Sequence, residues 1–72
     1  MSIVPMMNPR RLLSVLLKVG FKILHQKGSH IRLQNLSTKK STTIPIHPGD
    51  LSRKMITGII KQAGLSIKEF LD

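Results

Sequence analysis

The stretch QKGSHIRLQ, residues 26–34, places an imidazole directly after a Gly-Ser turn and at the head of a polar–apolar alternation. A strand period of two then sends His30, Arg32 and Gln34 to one face and Ile31 and Leu33 to the other. Histidine takes up and releases protons near neutral pH, and a guanidinium two residues away on the same face binds anionic oxygens. The chemistry these side chains offer together is proton transfer on a bound polyanion. A lone strand histidine is more often a solvated surface group, so the rest of the chain must decide between the two readings.

The ionisable side chains narrow the classes. Twelve Lys and Arg against three Asp and Glu give a net charge of +9, and residues 1–49 hold +8 with no carboxylate. Self-repulsion of this kind costs stability in a small fold, which points to an anionic partner. Two Phe and no Tyr or Trp argue against bases stacking on a row of aromatics. Arg10, Arg11, Lys39, Lys40, Arg53 and Lys54 are instead candidates for contacts to backbone phosphates, which carry little sequence information. With no cysteine, three scattered histidines and acids only at or beyond Asp50, no compact metal-ligand spacing exists. Nor is there a Gly-rich phosphate loop or nucleophile elbow, so neither a metal nor a cofactor is expected. MSIVPMM lacks the basic segment and apolar core of a signal peptide, and no apolar run is long enough to span a bilayer. The expectation is a cytoplasmic protein without a membrane partner.

The elements that must hold His30 follow from periodicity and caps. Asn8 as N-cap and Pro9 at the first helical position begin a helix that ends at Gly20, with Leu12, Leu13, Leu16, Leu17 and Gly20 on one face. FKILHQ reads as a strand with Phe21 and Ile23 on one side; His25 falls in their alternation class, as a partly buried histidine with a satisfied ring. KGS turns the chain, Gly28 supplying a positive φ, and HIRLQNL returns. STKKST is a basic loop, and TTIPIH resumes the sheet with Ile44 and Ile46 inward and Pro45 marking an edge. After PGD, Asp50 or Ser52 caps a second helix with Ile56, Ile59, Ile60 and Ala63 on its buried stripe. Gly58 interrupts that helix, as a close backbone approach would require. Past Gly64, SIKE forms a capping box, Ser66 with Glu69, for a last helical turn.

The predicted fold is α+β in the order α-β-β-β-α: a three-stranded antiparallel sheet with both helices on one face and the other face open. One domain, residues 8–72, follows a flexible lead of residues 1–7, in which Met6 or Met7 is an alternative start.

The segments GF (20–21), QKGSH (26–30), IPIHPGDLSRKMI (44–56) and IIKQAGLSIKEFL (59–71) resemble the HicA-type mRNA interferases, the small toxins of bacterial toxin–antitoxin pairs. The resemblance runs from about Arg10 to Leu71. It implies a double-stranded-RNA-binding-domain-like fold, metal-independent cleavage of mRNA, and a HicB antitoxin that blocks the active surface. By position, the family's catalytic histidine is His30, with Gly28 and Ser29 as its lead-in.

RNA carries its own nucleophile. A base takes the 2′-hydroxyl proton, the oxygen attacks phosphorus, and an acid protonates the leaving 5′-oxygen; histidine suits either task. Arg32 is placed to hold the scissile phosphate, with Lys27 a second candidate. His30 supplies one proton transfer, and His25, His47, Ser29, Lys27 or water the other. His47, where a strand meets the PGD turn, reads better as a hydrogen-bonded turn residue. The competing function is a non-catalytic RNA-binding module that grips duplex backbone with the same fold.

Overall fold

The computed structural model describes residues 4–71, with side chains for all of them except Glu69 and Leu71. The chain runs α1 (Pro9–Lys18), β1 (Phe21–Lys27), β2 (His30–Asn35), β3 (Ser41–Pro45), α2 (Arg53–Gln62) and α3 (Ile67–Leu71). The strands form one antiparallel sheet in the order β1-β2-β3. This is the α+β, double-stranded-RNA-binding-domain-like architecture.

Helix α1 starts where Asn8, in extended conformation, accepts a hydrogen bond at Oδ1 from the Arg11 amide at 2.8 Å. Pro9 forfeits nothing at a position whose N–H has no helical partner. After the Val19 cap, Gly20 at φ 107° turns the chain into β1. Leu12 and Leu16 are fully buried, Leu13 partly so, and Leu17 is 43% exposed. The buried face thus runs through Pro9, Leu12 and Leu16, flanked by the partly buried Leu13 and Val15, and does not extend to Leu17 and Gly20 as expected.

The inner face of the sheet is Phe21 from β1, Ile31 and Leu33 from β2, and Thr42 and Ile44 from β3. Helix α2 covers it with Ile56, Ile59, Ile60 and, just past its end, Ala63. Ser52, not Asp50, is its cap, with Oγ accepting from the Met55 amide at 3.1 Å. Buried Thr42 donates its hydroxyl to Gln62 Oε1 at 2.9 Å, tying β3 to α2. Ile46 lies beyond β3 and is only partly buried. Pro45 closes β3 on an edge strand, where its missing N–H breaks no ladder bond.

Two expectations need correction. Beyond the backbone of its own helix and its two chain neighbours, no atom lies within 4 Å of a Cβ built on Gly58, which is exposed, so this glycine serves no close approach. Within the expected lead two residues are also anchored: Val4 and Met7 are buried, with Pro5 and Met6 exposed between them, and the Leu51 amide donates to Met7 O at 2.8 Å. Apolar side chains at the head of the chain thus close one end of the core; residues 1–3 lie outside the described residues. At the other terminus the Phe70 amide bonds to Ser66 O and Phe70 joins the same core, while the Glu69 side chain of the expected capping box lies outside the described residues.

Candidate active site

The open face of the sheet carries the residues that could do chemistry. Lys27 and His30 pair across a two-residue turn, in which Gly28 has φ 58° and Ser29 does not have a positive φ. A glycine at the first central position with positive φ there alone is the pattern of a type II′ hairpin, whose twist matches that of the strands. The Ile46 amide donates to Ser29 O at 2.6 Å, fastening the turn to the end of β3. His30 is therefore the first residue of β2, exposed, at the rim of a hairpin fixed on both sides.

Strand β1 is not regular. Its ladder pairs Ile23 with Leu33 and then His25 with Arg32, leaving Leu24 as the extra residue of a β-bulge. Every residue after Leu24 thereby changes face relative to a simple count from Phe21. His25 leaves the inner side for the open one, where it lies opposite Arg32 and is exposed. The partly buried histidine expected at this position is corrected by that single extra residue.

His25, Lys27, Gly28, Ser29, His30, Arg32 and Thr43 line one shallow concavity of about 670 Å³. Arg32 Nη2 donates to Ser41 Oγ at 3.4 Å, which lays the guanidinium across the central strand toward β3. No carboxylate lines this site. Among the described residues, neither the His25 nor the His30 ring is held by a protein hydrogen bond, so both rings are available to a ligand. An anion set here meets an ammonium, a guanidinium, two imidazoles and two hydroxyls in one place. No group of three His, Asp or Glu that could hold a metal ion occurs among the described residues.

His47 belongs elsewhere. Its Nδ1–H donates to Pro48 O at 2.9 Å, the turn-fixing role expected for it, and it borders a separate groove with Asn8, Pro9 and Arg10. Arg10 and Arg11 lie on the first turn of α1, Arg53 and Lys54 on the first turn of α2, and Lys39 and Lys40 in the β2–β3 loop. All six are exposed, and none borders the concavity around His30.

A family model for the HicA toxin of bacterial toxin–antitoxin systems matches residues 9–65. The chain belongs to the HicA toxin family. No curated protein matches it significantly. The matched span opens at the first residue of α1 and closes just past α2, so it contains the whole hairpin and its concavity. Membership makes this HicA protein the toxin of a toxin–antitoxin system. Among its described residues no helix is long and apolar enough to cross a membrane.

Proposed function

We propose that this HicA toxin is a metal-independent endoribonuclease, an mRNA interferase acting in the cytoplasm, with the open sheet face as its active site. His30 acts as general acid/base on the 2′-hydroxyl and phosphate of a bound RNA. Lys27 and Arg32 hold the scissile phosphate and oppose the charge added in the transition state, where preorganised donors contribute most. Gly28 and Ser29 set the hairpin that presents the imidazole. Arg10, Arg11, Lys39, Lys40, Arg53 and Lys54 bind phosphates further along the strand. A HicB-type antitoxin inhibits by covering the same face, an acidic surface meeting a basic one.

The observation that carries this reading is the exposed His30 ring in a concavity shared with Lys27 and Arg32 and free of carboxylates. The test incubates purified protein with RNA in chelator, beside a His30→Ala variant of unchanged fold. The wild type is expected to cut and the variant to lose about 10²–10⁴-fold, the usual worth of a positioned acid or base. Equal cleavage by both removes His30 from the chemistry; binding by both without scission favours the non-catalytic module.

A further inference from the structure

Transesterification at phosphorus needs two proton transfers on opposite sides of the phosphate, and His30 supplies one. We propose that His25 supplies the other, so that the two imidazoles on the open face work as an acid–base pair. This rests on the ribonuclease reading above and adds a second catalytic residue to it.

The register carries the inference. His25 pairs with Arg32 and His30 pairs with Lys27, which makes the histidines diagonal neighbours on one face of the hairpin. Diagonal neighbours lie about 7–8 Å apart along the backbone, close enough for long side chains to converge on one ligand. Imidazoles carried on such positions can splay around a bound phosphate, one ring nitrogen reaching the attacking oxygen and the other the leaving oxygen, each through a hydrogen bond of about 2.8 Å. The other diagonal of the same square is Lys27 and Arg32, so the two cations flank the phosphate while the two rings reach its apical oxygens.

The other groups are disposed differently. His47 is tied to Pro48 O in a separate groove. Around His25 the charged and titratable groups are Lys22 and Lys27 on its own strand and His30 and Arg32 on β2, while β3 contributes neutral Thr43.

The step balances within the substrate and the two rings. The bond from the 2′-oxygen to phosphorus forms as the bond from phosphorus to the 5′-oxygen breaks. One neutral imidazole accepts the 2′-hydroxyl proton, and the other, entering as imidazolium, gives its proton to the departing 5′-oxygen. The products are a 2′,3′-cyclic phosphate and a 5′-hydroxyl, and proton exchange with water resets the rings.

The experiment compares wild type, His25→Ala and His30→Ala on two RNAs, one ordinary and one with sulfur replacing the 5′-oxygen at the cleaved linkage. Sulfur departs without needing a proton, so that substrate restores a variant lacking only the acid. Because His25 is exposed, its replacement leaves the fold intact, as circular dichroism will report. On ordinary RNA both variants are expected to fall about 10²–10⁴-fold. On the sulfur-linked RNA one of them recovers and the other does not. The pair is overturned if His25→Ala cleaves ordinary RNA like the wild type, or if both variants stay equally slow on the sulfur-linked RNA. Wild-type protein that leaves both RNAs intact overturns the ribonuclease reading itself, and the pair with it.

Discussion

Arg32 stands directly opposite His25 across the β1–β2 ladder, and its Nη2 reaches Ser41 Oγ on β3 at 3.4 Å. One guanidinium on the central strand is therefore anchored to β3 from a position that faces His25 on β1. The hydrogen bond to Ser41 orients it without neutralising it, so its charge remains for an incoming phosphate. Replacing Arg32 by Ala is expected to slow cleavage by about 10²–10³-fold, the loss typical of a transition-state donor. Arg32→Lys recovers little of this, because an ammonium cannot reproduce the planar two-point grip. Urea denaturation of both variants should stay within about 0.5 kcal/mol of wild type, since the residue is exposed. Wild-type rates in Arg32→Ala would take the guanidinium out of the chemistry.

The cations on the helical layer make a different prediction. Arg10 and Arg11 are exposed on α1 and do not border the concavity of His30. Their part is to neutralise phosphates, and bound counterions leave the RNA when they do. RNA affinity is expected to fall steeply with salt, and removing one phosphate-binding cation makes the slope of log K against log salt shallower by about 0.7–0.9. The Arg10→Ala, Arg11→Ala double variant, which removes two such cations, should have a slope shallower by about 1.4–1.8 while its single-turnover rate at saturating protein matches wild type. A slope identical to wild type would place RNA elsewhere on the molecule.

Gly58 offers a stability test that leaves the site alone. It lies mid-helix in α2, exposed, with open space where a Cβ would go. Alanine there reduces the backbone freedom of the unfolded chain and adds no clash. Gly58→Ala is expected to stabilise by about 0.5–1 kcal/mol, read as a higher urea midpoint at constant m-value. A lower midpoint would reveal a neighbour that the glycine accommodates.

Most of this architecture was legible in the residue pattern. Asn8-Pro9 and Gly20 bracket α1, the Gly-Ser turn places His30 on the open face, and Ile56, Ile59, Ile60 and Ala63 mark the inner stripe of α2. What escaped was the face of His25. Counting from Phe21, which must be buried, puts residue 25 inside; counting back from the two-residue turn pairs 27 with 30 and 25 with 32, which puts it outside. Both counts are locally sound, and only an extra residue between them reconciles the two. A disagreement of this kind is itself the signal of a bulge. Val4 and Met7 escaped for another reason: seven residues before a helix cap carry no periodicity, and their burial is decided by tertiary packing against the core.

That reconciliation supplies the sharpest test of the register. Deleting Leu24 removes the extra residue and leaves a continuous ladder, in which Ile23 stays opposite Leu33 and His25 stays opposite Arg32. Deleting Gln26 instead lets the bulge heal the other way. The turn still pairs Lys27 with His30, but His25 moves opposite Ile31 and Leu24 takes its place beside Arg32, because a one-residue slip reverses the face. The two variants have the same length, lack the same bulge and keep Phe21 and Leu33 in the core. They differ in which side His25 occupies. Cross-strand nuclear Overhauser effects should link residues 25 and 32 in the first and 25 and 31 in the second. With His25 in the acid–base pair, the Leu24 deletion retains cleavage and the Gln26 deletion loses about 10²–10⁴-fold. Cleavage equal in both, with the cross-strand effects as expected, would separate the fold argument from the catalytic one and leave His25 a bystander on a correctly read sheet.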